Sequence, residues 1–196
     1  MQFTVASLIA LAASGASALP HVARQDGAKV GVATPFTIQA TFSGPEMQFP
    51  YFYANNGEFT LNNLHSSATC TNPARSSSAA TFTIDADGNM YLYATQPPVQ
   101  QTWVDRSGMG QGNIGYTSAG LQGPKNGERT GWAIDDSNNL TFNGVGFIGC
   151  PKEDGSWRIW VNAGVDQPAG NSGCVPVGAI AIAAAEPNDC HYSDSA

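Results

Sequence analysis

The sequence predicts an all-β protein: a single-domain β-sandwich or barrel of short antiparallel strands, with a β-trefoil-like arrangement as the alternative. Three observations predict it. Short apolar stretches alternate with polar residues at period two, separated by turn signals about 8–12 residues apart. The chain of 196 residues holds 22 Gly and 12 Pro but only 12% charged residues, a composition weighted toward turn formers. After the first eighteen residues, no stretch sustains an apolar stripe at helical spacing for three turns.

Residues Met1–Ala18 carry no charged side chain, are apolar in the middle and end in Ala16-Ser17-Ala18. That is the pattern of a cleaved signal peptide with a small-x-small cleavage site, although its leading residues lack Lys or Arg. A buried N-terminal helix is the alternative. A membrane span needs about 20 apolar residues, and this run is shorter and rich in Ala and Ser. The expected organisation is a signal peptide over 1–18, a flexible lead over 19–34, one β domain over 35–187 and a polar tail over 188–196. The tail lacks the hydrophobic signal of a lipid anchor.

The net charge is −7, and the eight basic residues are scattered. An acidic chain without a basic patch argues against nucleic acid and anionic membrane as partners; oligomeric state is left open. Cys70, Cys150, Cys174 and Cys190 follow the signal peptide. An even count in a secreted chain reads as two disulfides. Zinc is the rival, but there is no Cys-x-x-Cys and only three histidines. Three pairings are open. Cys150–Cys174 is preferred, since both border predicted strands with Trp157–Val161 between them.

Phe36, Ile38, Ala40 and Phe42 alternate with polar partners and predict the first strand. Thr81–Ile84 and Met90–Tyr93 flank Asp85-Ala86-Asp87-Gly88-Asn89, a hairpin turn because Asp, Gly and Asn tolerate positive φ. Phe82–Tyr93 aligns without gaps against Trp132–Asn143, either as an internal repeat or as two similar hairpins. Phe147–Cys150 and Trp157–Val161 flank a third turn at Pro151–Gly155. Cys174–Ile182 supplies the last strand, its β-branched residues and Pro187 disfavouring a helix. Trp132, Phe142, Phe147 and Trp157 are read as core.

Candidate chemistry is sparse. No Gly-x-Ser-x-Gly elbow accompanies His21, His65 or His191. A copper site built on an N-terminal histidine requires trimming to His21. Glycosidases need paired carboxylates, one with a raised pKa, yet Asp85, Asp87, Asp135, Asp136, Glu153 and Asp154 all fall in turns, where such residues cap their own backbone. Asp85-x-Asp87-Gly88-Asn89 resembles a calcium loop but lacks its third early ligand and its downstream Glu. No catalytic residue, metal or cofactor is assigned. Tyr51, Phe52, Tyr53 and Trp160 are the candidates for stacking on sugar, and Asn139-Leu140-Thr141 is a glycosylation sequon in a turn.

The blocks Gly115–Ser118, Leu140-Thr-Phe-Asn-Gly144, Phe147-Ile-Gly-Cys-Pro151, Trp157-Arg-Ile-Trp-Val-Asn162 and the late Cys174 resemble the fungal cell-wall family of PhiA, the phialide protein, often labelled IgE-binding proteins. The match is best over Tyr116–Ala183; Cys190 and Tyr51–Tyr53 have no placed counterpart. The resemblance implies a secreted, non-catalytic structural or interaction protein of the fungal wall, linked to conidium-forming cells. A polysaccharide-binding module of the wall is the alternative, and a secreted polysaccharide-active copper enzyme the third reading.

Overall fold

The computed structural model describes residues 29–42, 50–62, 68–75, 79–118, 121 and 123–194. The predicted signal peptide, most of the predicted lead, and His21 and His65 lie outside them. Among the described residues fourteen strands follow in chain order. They are β1 (Phe36–Thr41), β2 (Tyr53–Asn55), β3 (Glu58–Leu61), β4 (Thr69–Cys70), β5 (Thr81–Ile84), β6 (Met90–Leu92) and β7 (Gln100–Asp105). After these come β8 (Asn113–Ser118), β9 (Trp132–Ile134), β10 (Leu140–Phe142), β11 (Phe147–Pro151), β12 (Trp157–Val161), β13 (Val175–Ala183) and β14 (Cys190–His191). Of the sandwich and barrel alternatives, the chain adopts a barrel. Nine antiparallel strands close the ring in the order β1, β5, β6, β7, β8, β3, β12, β11, β13 and back to β1. β8 also meets β12 directly, at Asn113 opposite Trp160.

Alternation decides what faces inward. In β1, Phe36, Ile38 and Ala40 have no exposed surface, while Thr37, Gln39 and Thr41 are half-buried. β7 repeats the pattern, with Gln100, Thr102 and Val104 buried. Aromatic rings fill the interior, as side chains do in small barrels. Phe59 lies 5.5 Å from Phe82 and 5.3 Å from Tyr116 between ring centroids. A second group joins Trp132 to Phe142 at 5.0 Å and to Phe147 at 6.3 Å. Trp157 is only half-buried and tilts against Phe42.

The two aligned hairpins use one turn chemistry. Asp85 Oδ1 accepts from the amides of Asp87 and Asn89, and Asp135 Oδ1 accepts from those of Ser137 and Asn139. Gly88 (φ 77°) and Asn138 (φ 62°) occupy equivalent left-handed positions, which Gly and Asn adopt most readily. Their settings differ, because β5–β6 is part of the ring and β9–β10 is not. β9–β10 spans from the first turn to β13: the Trp132 amide donates to Gly88 O, and the Ala181 amide donates to Asn138 O.

The domain extends beyond 35–187 at both ends. Val30, in the predicted flexible lead, is buried, and its amide donates to Asn138 Oδ1 at 3.1 Å. The predicted polar tail is a strap. β14 pairs with β4, Tyr192 is 2% exposed, and Asp194 accepts from the Ser118 amide. Two structural reasons account for this. Cys190 is bonded to Cys70, and the buried Gln100 holds Tyr192 with both ends of its amide. The second disulfide joins Cys150 to Cys174.

Candidate functional site

Most of the carboxylates considered for proton-transfer chemistry already hold partners. Hydrogen bonds from the Asn139 side chain and backbone hold Asp135 below its ordinary pKa. The Ser156 hydroxyl and amide do the same for Asp154. At Asp85, burial acts upward, but bonds from Asn89, Asp87 and Tyr91 outweigh it and the net shift is down. These bonds also use the oxygens that a calcium ion would need. Asp136 pairs at the surface with Lys29. Glu128 takes two hydrogen bonds from Arg106, at 2.8 and 2.6 Å, and is lowered by them. Among the described residues no group of three or more His, Cys, Asp or Glu could hold a metal ion, and no helix is long and apolar enough to cross a membrane.

The four residues proposed for sugar stacking separate. Phe52 is 1% exposed and meets Phe147 edge-on; it points inward, so its ring faces core rather than solvent. Trp160 points outward but is 5% exposed, covered within a small cluster with Ile148, Cys150 and Cys174. Neither presents a ring face. Tyr51 and Tyr53 are half-buried. Asn139 is exposed, with its side-chain amide donating to both oxygens of Asp135 at 3.3 and 3.0 Å.

The structure assembles a different constellation on the outside of the barrel. Strand register sets two adjacent rows across it. One runs Tyr53, Thr60, Arg158, Cys150 over β2, β3, β12 and β11. The other runs Asn55, Glu58, Gly115, Trp103 over β2, β3, β8 and β7. Glu58 accepts from Arg158 and lies 3.8 Å from Lys152. Arg158 also donates to Asn113 Oδ1 at 2.8 Å and sits 5.1 Å above the Trp160 ring. Gly115 is bare for a reason: a Cβ there would stand 2.6 Å from Cζ2 of Trp103. Glu58 and Arg158 are 100 positions apart, so no local motif announces their meeting. The only trace in the sequence is the alternation that turns Arg158 away from buried Ile159.

The family of PhiA-like secreted proteins matches residues 36–193. The cell wall protein phiA of Aspergillus fumigatus is 45% identical over 159 residues, covering 81% of this chain and 84% of that protein. The protein of the same name from Aspergillus niger is 40% identical over 185 residues, 94% and 96% of the two chains. The one from Emericella nidulans is 42% identical over 160 residues, 81% and 86%. No solved structure matches.

Proposed function

The chain belongs to the PhiA-like family of secreted fungal wall proteins, and from that premise we propose that it serves in the wall as a non-catalytic structural or interaction protein, linked to conidium-forming cells. Its place is extracellular, secreted or in the wall. One observation carries the non-catalytic reading: three of the turn carboxylates, Asp85, Asp135 and Asp154, spend oxygens on their own turns. A general acid needs a carboxyl whose pKa is raised toward the working pH. Asp85, Asp135 and Asp154 are all shifted the other way. The barrel interior supports the same reading, because aromatic and aliphatic side chains fill it. Glycosylation at Asn139 belongs to this proposal, as does a mature chain that starts at Leu19 or slightly downstream.

The test combines location with turnover. Antibody labelling and wall fractionation should place the protein in walls, most strongly in conidium-forming cells. The purified protein, incubated with chitin, β-glucan and cellulose, with and without copper and a reductant, should release no soluble sugars. Oligosaccharides that appear with wild type and disappear with a carboxylate variant would overturn the non-catalytic reading.

A further inference from the structure

We propose that the Cys70–Cys190 disulfide is a thiol-exchange site: a small-molecule thiol enters the cleft beside it and is captured on Cys70 as a mixed disulfide, while the rest of the fold stays native.

Access singles out this bond. Exchange requires a thiolate to reach one of the two sulfurs, so approach matters as much as the chemistry of the thiol. A cleft of about 320 Å³ opens here, and both cysteines line it. Ala94, Pro97 and Pro98 form part of its wall, and none of them has a long side chain to fold across the bond. Cys70 is half-buried, whereas Cys190 is 5% exposed. Approach therefore favours the sulfur of Cys70, with that of Cys190 leaving.

The other disulfide is set differently. Cys150 is 1% exposed and lies on β11, which is paired on both sides, with β12 and β13. Its partner Cys174 packs against the cluster of Ile148, Cys150 and Trp160. Gln167 keeps it seated there: its Oε1 accepts from the Cys174 amide at 3.1 Å and its Nε2 donates to the Cys174 carbonyl at 3.4 Å.

Bonds that do not pass through sulfur hold the two strands together once the disulfide opens. On one side of the cysteines, the Thr71 amide donates to Asp189 O at 2.9 Å. Beyond it, the Asn72 amide donates to Asn188 Oδ1 and Asn188 Nδ2 to Asn72 O, each at 3.3 Å. Asp189 Oδ2 also accepts from the Thr95 amide at 3.0 Å. On the other side, Gln100 grips Tyr192. Cys190 therefore stays opposite Cys70, its partner in the β4–β14 register, and is placed to expel the captured thiol.

The exchange balances without an oxidant. The external thiol loses its proton to water, and its thiolate forms a bond to Cys70 Sγ. The Cys70–Cys190 bond breaks, and its electron pair leaves on Cys190 Sγ, which takes a proton from water. One disulfide replaces another. Return runs the same way, with the Cys190 thiolate attacking Cys70 Sγ and the small thiolate leaving.

The experiment treats the full secreted chain, native at neutral pH, with graded 2-mercaptoethanol. Samples are quenched with acid, alkylated under denaturing conditions and peptide-mapped, while tryptophan fluorescence follows the native fold. The adduct should appear on Cys70 with Cys190 alkylated, at least about tenfold faster than Cys150–Cys174 is lost. Native fluorescence should persist, and dilution of the thiol should restore Cys70–Cys190 without added oxidant. Ala94→Leu, which narrows the cleft, should slow capture about tenfold while the variant melts cooperatively; if that variant does not fold, the mapping of wild type decides alone. Adduct chiefly on Cys190, loss of Cys150–Cys174 at an equal or faster rate, or exchange that proceeds only as the protein unfolds in urea would overturn the proposal. Unchanged capture by folded Ala94→Leu would overturn it too.

Discussion

Gln100 offers the sharpest test of how the C-terminal strap is held. Its side chain is 1% exposed. Its Nε2 donates to Tyr192 O and its Oε1 accepts from the Tyr192 amide, both at 2.7 Å, so one side chain replaces a neighbouring strand. Gln100→Leu keeps most of the volume and removes both bonds. The Tyr192 N–H and C=O then remain buried without partners. Each such group costs about 1–3 kcal/mol, giving a loss of about 2–6 kcal/mol for the pair. At the middle of that range, a domain of this size should melt about 8–16 °C lower. Urea and thermal unfolding at neutral pH measure it. A second background, truncated after His191, separates the clamp from simple packing: there Gln100→Leu should cost far less, because its partner is gone. A loss below about 0.5 kcal/mol in the full chain, or an equal loss in both backgrounds, would refute the reasoning.

Three further outcomes are expected. The carboxyls of Asp135, Asp154, Asp194 and Glu128 are lowered in the fold by their hydrogen bonds and, for Glu128, by Arg106. Their stabilisation is therefore complete above the ordinary carboxylate range and lost as pH falls through the lower folded values. Melting temperature should hold from pH 7 to about 5 and drop below about 4, and a flat profile to strongly acid pH would contradict it. Replacing Cys150 and Cys174 together by Ser should cost about 3 kcal/mol in the chain-entropy model, read by urea unfolding against the oxidised wild type. Asn139 should carry a glycan, since its turn is exposed and a glycan displaces only one of its two amide hydrogens; enzymatic deglycosylation that leaves mass and gel mobility unchanged would count against it.

Local patterns were legible in the sequence because their causes are local. The turn at Asp85–Asn89 follows from residues that cap their own backbone, and its echo at Asp135–Asn139 follows from the same chemistry. The alternation of Phe36, Ile38 and Ala40 gave the first strand and its inner face. Closure into a barrel was not legible, because it depends on β12 meeting β8 and β3, residues 47 to 98 positions away. The strap escaped for a related reason. Its sequence is polar, and its burial comes from Gln100 and Cys70, remote in the chain. Aromatic character nominates residues for sugar stacking, but it cannot say which rings a distant loop or the barrel wall covers. Phe52 and Trp160 were covered; the polar neighbours Glu58 and Arg158, unremarkable one by one, came together.

The Cys70–Cys190 bond has a mechanical consequence. It encloses a 120-residue segment that contains β5 through β13, with the 24-residue loop of Cys150–Cys174 nested inside it. Tension entering at the C-terminus passes through sulfur to Cys70 and bypasses every strand between them. Only the chain before Cys70, which includes β1 to β3, and the few residues after Cys190 can be drawn out. At about 3.5 Å per extended residue, the bond shields on the order of 400 Å of contour length. A single molecule stretched from its ends should therefore lengthen in one short step while oxidised and release the shielded length only after reduction.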